Sequence, residues 1–339
     1  MENTSIPKFK VVGSKYISQW LNENPKSVIE AAESAYLMHA DSKTVSPDSY
    51  FLRFPDNTRD RIIALPASLE AEQPITGIKW ISSFPDNINK QLNRASAVII
   101  VNDRNTGYPV ACLEGSLISA ARTAASAVIG AKYLHSTPGK IKRLGVVGCG
   151  PISFSTVDLL VGSGWEIEEM YVADLSKDRS SIFRNKCKKS LVSNSKSATL
   201  EETITTSDLI LIATSATVPY ILSPEWFKHA PTVLHMSLRD LAPEIILSGQ
   251  NVADDIEHSL KSQTSTHLAS QQVGHSDFMA GGIAEVIRNK VTPDLTRTRI
   301  YSPFGMGILD LAVAQKILNT ADKSDVTEHS DFFPEAYTN

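Results

Sequence analysis

Residues 141–162 read IKRLGVVGCGPISFSTVDLLVG. The first seven end in an apolar, β-branched run that suits a buried strand, and the last eleven carry apolar residues at helical spacing. Between them stands Gly148-Cys149-Gly150-Pro151-Ile152-Ser153. A glycine loop that closes a strand and opens a helix is the setting in which a dinucleotide-binding fingerprint has physical meaning. Gly148 allows the tight turn, Gly150 lets a pyrophosphate approach the backbone, and the small Ser153 lets helix and strand pack closely. Pro151 suits the first helical position, where its missing N–H costs nothing. With Ile152 it opens a helix whose terminal N–H groups favour phosphate. A glycine-rich turn in an ordinary α/β protein is the plain alternative.

Asp174 weighs against that alternative. It ends the next strand, EEMYVAD, at roughly the spacing of 20 or more residues expected of an acid that binds the adenosine ribose. A carboxylate there accepts hydrogen bonds from the ribose hydroxyls and repels a 2′-phosphate, which favours NAD over NADP even with Lys177 and Arg179 close behind. Downstream, Ser176 caps a helix running to about Leu191. DLILIATS, TVLHMS, NVADD and RIYS read as further strands, and SPEWFKH opens a short helix. Strands alternating with helices predict a doubly wound parallel sheet of the Rossmann type.

Upstream of His135 the texture differs. Asn24 and Pro25 open a helix over 24–40 with Val28, Ala31, Ala32, Ala35 and Tyr36 on one side. SYFLRF, DRIIALPASL, ITGIKWI and SAVIIVND then read as antiparallel strands, and NDRNTGYP as the tight link to VACLEGSL. A long Ala-rich helix follows from Ser116 to about His135. The last helix, 307–319, carries Ile308, Leu311, Ala312 and Leu318 on one side. The polar, acidic tail beyond Asn319 is expected to fray.

The 339 residues suit two domains. A net charge of −4 argues against a nucleic-acid footprint. No run of about 18 apolar residues suggests a membrane span, and MENTSIPKFK does not read as a signal peptide. Cys112, Cys149 and Cys187 match neither a disulfide framework nor a zinc site. The eight histidines show no metal spacing. A reducing cytoplasm is the expected compartment.

Five positions carry candidate chemistry. Lys79 sits in the apolar strand ITGIKWI, sharing a face with Gly77; it either points to solvent or is held for an anion. Arg122, among small residues in the Ala-rich helix, must be paired, either structurally, for instance with Glu114, or with a substrate carboxylate. Arg53 and Arg94 flank strands of the same meander. Asp240 follows the strand TVLHMS, beyond the carboxyl end where ligands of open α/β sheets lie. Asp254 and Asp255 end a later strand similarly, so position alone does not choose among the three. His235 reads as a core histidine.

Gly77-Ile78-Lys79-Trp80, Arg122-Thr123-Ala124-Ala125, the GCGPIS loop and the Asp240 segment occur in the order found in the ornithine cyclodeaminase/μ-crystallin family, which the chain resembles from about Lys8 to Asn319. The resemblance implies a β-rich α+β substrate-binding and dimerisation domain, residues 1–122 with 302–339, into which an NAD-binding Rossmann domain, 123–301, is inserted. It implies a homodimer, and it assigns Thr123, Thr214 and Ser237 to the cofactor. GIKWISSFPDNINKQLNRASAVIIVND and YPVACLEGSLISAARTAA bring the chain nearer to the family's N-(2-amino-2-carboxyethyl)-L-glutamate dehydrogenases of 2,3-diaminopropionate biosynthesis. Cyclodeaminases carry a GDCPGKTE-type segment where this chain has SLRDLAPEII, with only Asp240 and Glu244 in common. The implied reaction is oxidative hydrolysis to 2,3-diaminopropionate, 2-oxoglutarate and NADH. Arg53, Lys79, Arg94 and Arg122 would hold three carboxylates, and Asp240 or Lys79 would move the proton. Cyclodeamination of ornithine, a ketimine or alanine-type reduction, and nucleotide binding without turnover are the alternatives.

Overall fold

Period-two alternation in the first third of the chain builds a mixed sheet with one covered face. The computed structural model describes residues 6–71, 73–190 and 192–335; residues 1–5 and the helix end expected at Leu191 lie outside them. Contacts divide the chain into two units, Met1–Arg122 with Met306–Asn339, and Thr123–Gly305.

The first unit begins with β1 (Phe9–Val12), α1 (Ser14–Glu23) and α2 (Pro25–Ala40). Helix α1 was not anticipated; it is a short element that buries Ile17 and Trp20. Helix α2 starts on Pro25 and buries Val28, Ala31, Ala32, Ala35 and Tyr36. Next come β2 (Thr44–Val45), β3 (Tyr50–Phe54), β4 (Asn57–Leu69), β5 (Ile75–Ser83), β6 (Ala95–Asn102) and β7 (Pro109–Glu114). Neighbours from β3 to β7 pair antiparallel. At the β6–β7 link, Asp103 Oδ1 accepts the N–H groups of Asn105 and Thr106 at 3.1 and 2.7 Å, an Asx-type turn that supplies its own hydrogen bonds. Helix α3 (Gly115–Leu134) follows.

In the second unit, β8 (Lys140–Val147), α4 (Pro151–Gly162), β9 (Glu166–Ala173), α5 (Lys177–Ser190), β10 (Ser195–Ser197), α6 (Leu200–Thr206), β11 (Leu209–Ile212) and β12 (Thr232–His235) alternate. They continue as α7 (Pro243–Ser248), β13 (Gln250–Ala253), α8 (Ile256–Ser259), α9 (Ser265–Val273), β14 (Met279–Gly282), α10 (Ile283–Ile287) and β15 (Arg299–Tyr301). The strands form one parallel sheet in the order β10-β9-β8-β11-β12-β15-β13-β14. All residues of β11 and β12 are buried, as a sheet covered on both faces requires. The chain leaves β8 first toward β9 and later toward β11, so the strand order reverses at β8. The loops after β8 and β11 therefore flank the switch point, where open α/β sheets bind ligands. SPEWFKH forms only a 3₁₀ turn at Pro224–Phe227.

The chain returns to the first unit with α11 (Gly307–Thr320) and β16 (Thr327–His329). Helix α11 is buried almost all round as far as Ala314, whereas Leu318 is only half-buried. It can lie this close to the sheet because residue 77 has no side chain: a Cβ there would stand 2.2 Å from Ile100 O and 3.2 Å from Leu311 Cδ2. Through residue 335 the tail, expected to fray, holds a strand. Strand β16 pairs antiparallel with β1, and Phe332 stacks on Phe9 at 4.2 Å between centroids. The Phe9–Phe332 stack and three residue pairs outweigh a polar composition.

The opposite face of this sheet is open. Tyr50, Ala64, Trp80 and Val98 align across β3 to β6, and Tyr50 and Trp80 keep 73% and 41% of their surface exposed.

Candidate functional site

In the first unit the close approach at Gly77 sets α11 over Lys79. Lys79 Nζ donates to Asp310 Oδ2 at 2.7 Å and to Ser119 Oγ at 3.1 Å. Arg122 Nε donates to the other oxygen, Asp310 Oδ1, at 3.1 Å. Lys79 is 2% exposed and Asp310 fully buried. Lys79 therefore neither points to solvent nor waits for an external anion alone; an internal carboxylate holds it. Burial, followed by the charge of Arg122, lowers the Lys79 pKa to about 8 against the opposing pull of Asp310. With both cations charged, the trio carries one uncompensated positive charge.

The partner suggested for Arg122, Glu114, is engaged elsewhere. Its carboxylate accepts the N–H groups of Ser116 at 2.7 Å and Leu117 at 3.0 Å, capping the first turn of α3. Arg53 is exposed on β3, its guanidinium 5.1 Å from the Phe51 ring centroid. Arg94 stands half-buried just before β6, and burial lowers its pKa. Among the described residues no hydrogen bond or ion pair joins Arg53 or Arg94 to the Lys79 trio. Asp310 escaped sequence reasoning, although it had a signal: a carboxylate inside GILDLAVA needs a buried partner.

In the second unit the glycine loop has the geometry its sequence implies. Gly148 has φ +92°, and a Cβ there would lie 2.5 Å from Ala213 O. Gly150 differs: a Cβ would meet nothing within 4 Å. No protein group explains its lack of a side chain, whereas a ligand approaching the backbone does. Gly150 caps α4 with no side-chain hydrogen bond, and Pro151 occupies the first turn. Thr156 Oγ1 donates to Ile152 O at 2.8 Å. Ser153 Oγ donates to Gly148 O at 2.5 Å and locks loop to helix. Asp174 accepts Cys149 N–H and Ser176 N–H, each at 2.8 Å, one on each oxygen. Each carboxylate oxygen keeps a further lone pair for a ribose hydroxyl. These groups fit a dinucleotide. Burial and then the Asp174 charge push the Cys149 thiol up to about 12, so it is not a thiolate at neutral pH. Thr123 is half-buried in α3.

Asp240 is fully buried. Thr214 Oγ1 donates to its Oδ1, and His235 Nε2 faces its Oδ2 at 3.2 Å. His235 Nδ1 lies 3.1 Å from Ser302 Oγ. Ser237 Oγ donates to Ile212 O at 3.3 Å. Burial pushes the Asp240 carboxyl up, but hydrogen bonds and charge from His235, with help from Ser237 and Thr214, outweigh it and hold the pKa at about 2. Asp254 instead accepts the N–H groups of Phe304 and Gly305 at 2.8 and 2.7 Å, and Asp255 caps α8 through His258 N–H. Both serve backbone N–H groups, whereas Asp240 meets the side chains of Thr214 and His235. His235 is a core residue, as read, but also a hydrogen-bond partner of Asp240; its spacing of five from Asp240 carried no recognisable signal.

Comparison with known proteins follows the same lines. Residues 22–325 match the profile of the ornithine cyclodeaminase/mu-crystallin family. The N-((2S)-2-amino-2-carboxyethyl)-L-glutamate dehydrogenase of Staphylococcus aureus is 30% identical, covering 88% of this chain and 91% of its own. The alanine dehydrogenase of Archaeoglobus fulgidus is 25% identical over 90% of this chain and 93% of its own. Among solved structures, the Thermococcus litoralis Δ1-pyrroline-2-carboxylate reductase in complex with NADH and L-proline superposes with TM-score 0.83 at 23% identity, covering 91% of this chain and 96% of its own. An archaeal alanine dehydrogenase dimer with bound NAD also gives 0.83, at 22% identity, covering 96% of this chain and 100% of its own.

Proposed function

The chain belongs to the ornithine cyclodeaminase/mu-crystallin family, and we propose that within it the chain is a cytoplasmic NAD-dependent dehydrogenase that oxidises and hydrolyses N-(2-amino-2-carboxyethyl)-L-glutamate. The observation that carries the chemistry is the buried Lys79–Asp310–Arg122 trio with its excess positive charge. Such a charge is costly to bury unless an anion completes it, and an amino-acid carboxylate has the planar, two-oxygen shape a guanidinium grips. The Staphylococcus aureus relative supports the identity of the substrate.

Gly148, Gly150, Pro151, Ile152 and Ser153 would hold the pyrophosphate, Asp174 the adenosine ribose, and Thr123, Thr214 and Ser237 the remainder of the dinucleotide. Bound NAD would supply a hydride acceptor. Lys79 and Arg122 would hold one substrate carboxylate, with Arg53 and Arg94 serving the others. Water then splits the C–N bond and yields 2,3-diaminopropionate and 2-oxoglutarate. Lys79, poised near pH 8, has a pKa matched to acid–base work at neutral pH. Asp240 holds a proton only near pH 2 and is a weak acceptor at neutral pH, so its charge matters more than its basicity. The open row Tyr50–Ala64–Trp80–Val98 suits pairing with a second copy of this chain, and the archaeal relative is a dimer.

The test is a mass spectrum of products from a panel of N-substituted glutamates incubated with NAD. The aminocarboxyethyl conjugate should give both products. A panel in which only ornithine, alanine or a cyclic imine reacts would contradict the assignment.

A further inference from the structure

Asp240 is charged and lies beyond the end of β12, yet it is fully buried and offers a ligand no surface. Both its carboxylate oxygens already have partners in the second unit, Thr214 on Oδ1 and His235 on Oδ2. The loop that follows β11 is tied to the same place. The N–H groups of Tyr220 and Ile221 both donate to Asp240 O, at 3.1 and 3.0 Å, and Ala242 N–H donates to Ile221 O at 3.0 Å. Ile221 and Leu241 thus form an isolated parallel bridge. The start of the loop is fixed as well. Ala216 N–H donates to Thr214 Oγ1 at 3.2 Å, and Thr214 Cγ2 would stand 3.1 Å from a Cβ on Gly148. One end of the loop is therefore pinned to the glycine turn and the other to Asp240.

Tyr220 is the member of this group that stays accessible, with 36% of its surface exposed. Burial and then the charge of Asp240 raise its phenol above the usual tyrosine range; hydrogen bonding to Asp240 and the charge of Asp174 add to the rise, and Thr214 opposes it. At neutral pH the hydroxyl is a neutral donor whose single proton turns to the Asp240 carboxylate. Its oxygen keeps lone pairs for a further donor. The strand order places that oxygen on one half of a dinucleotide. Asp174 marks the adenosine ribose beyond β9, and the glycine turn marks the pyrophosphate beyond β8. With strands about 4.8 Å apart, the remaining half continues over β11 and β12, where Thr214 and Tyr220 stand.

We propose that Tyr220 is a cofactor-binding residue: its hydroxyl accepts a hydrogen bond from the nicotinamide riboside half of NAD, while the buried Asp240 acts through it as a positioning residue. The proposal rests on the NAD reading above and deepens it. A nicotinamide riboside carries two kinds of donor, the ribose hydroxyls and the carboxamide N–H groups, and either fits an oxygen acceptor.

Calorimetric titration of the full-length protein tests this with three ligands: NADH, its reduced 3-acetylpyridine analogue, which lacks the carboxamide N–H groups, and ADP, which lacks the whole nicotinamide half. Tyr220→Phe keeps the ring and removes the acceptor. It should weaken NADH on the order of ten-fold, the worth of one hydrogen bond, with ADP unchanged. If the carboxamide is the donor, the analogue binds the unmodified protein and the Phe variant equally; if a ribose hydroxyl is, the analogue weakens as NADH does. Asp240→Asn should weaken NADH in the unmodified background and do so less in the Tyr220→Phe background, because it acts through the missing hydroxyl. Equal NADH affinity in the Phe variant and the unmodified protein would overturn the role of Tyr220, as would an equal loss for ADP. Strictly additive losses would overturn the role of Asp240. An unmodified protein that binds neither NADH nor ADP would instead overturn the NAD reading, and this proposal with it.

Discussion

At the residue scale, Asp310 holds both buried cations, Lys79 through one carboxylate oxygen and Arg122 through the other. Lys79 and Arg122 were legible because a cation in an apolar or small-residue setting demands explanation. Their shared partner was not, because it is 231 residues from Lys79 in the chain. Asp310→Asn would leave two buried cations facing a neutral amide, and removing one member of a buried pair costs about 3–5 kcal/mol. Urea unfolding should show that loss. A change under about 1 kcal/mol would mean that water reaches the trio and solvates it. Lys79 adds a pH dependence. Its pKa is lowered to about 8, so it is charged below that pH and neutral above it. The trio then loses its excess charge as pH rises through about 8, and KM for the anionic substrate should climb. Lys79→Arg should flatten that rise, since arginine stays protonated. A KM that is level from pH 7 to 9 in the unmodified protein would remove Lys79 from substrate binding.

At the scale of elements, the strand–loop–helix around Gly148 was readable because all its determinants are local: a β-branched run, two glycines, a proline at the first helical turn and a small residue at 153. The β16 pairing was not readable, since a three-residue edge strand depends on where β1 lies. The two glycines should separate by experiment. Gly148→Ala forces a side chain into positive φ and against Ala213 O, so both stability and NADH binding should fall. Gly150→Ala meets no protein atom, so the melting temperature should hold while NADH binding is lost. If Gly150→Ala binds NADH normally by fluorescence titration, the open space at that loop belongs to no pyrophosphate. Asp174→Ser should weaken NAD and relax discrimination against NADP. A protein that already uses the two cofactors equally well would contradict the role given to Asp174.

At the scale of the whole molecule, the alternating strands and helices after His135 announced the parallel sheet, and the meander before it announced the antiparallel one. What composition could not show is which sheet face stays open, because Ile78, Trp80, Val98 and Ile100 look like core residues when read singly. The open row predicts self-association: Trp80→Glu should shift the protein from dimer to monomer in sedimentation velocity, and a monomeric unmodified protein would refute that use of the face. In the proposed reaction water, not returned hydride, resolves the oxidised substrate. It is tested most directly by counting products per substrate with excess NAD. One NADH and one 2-oxoglutarate should appear for each N-(2-amino-2-carboxyethyl)-L-glutamate consumed, with no proline from ornithine. Proline and ammonia from ornithine, without net NADH and with the conjugate untouched, would contradict it.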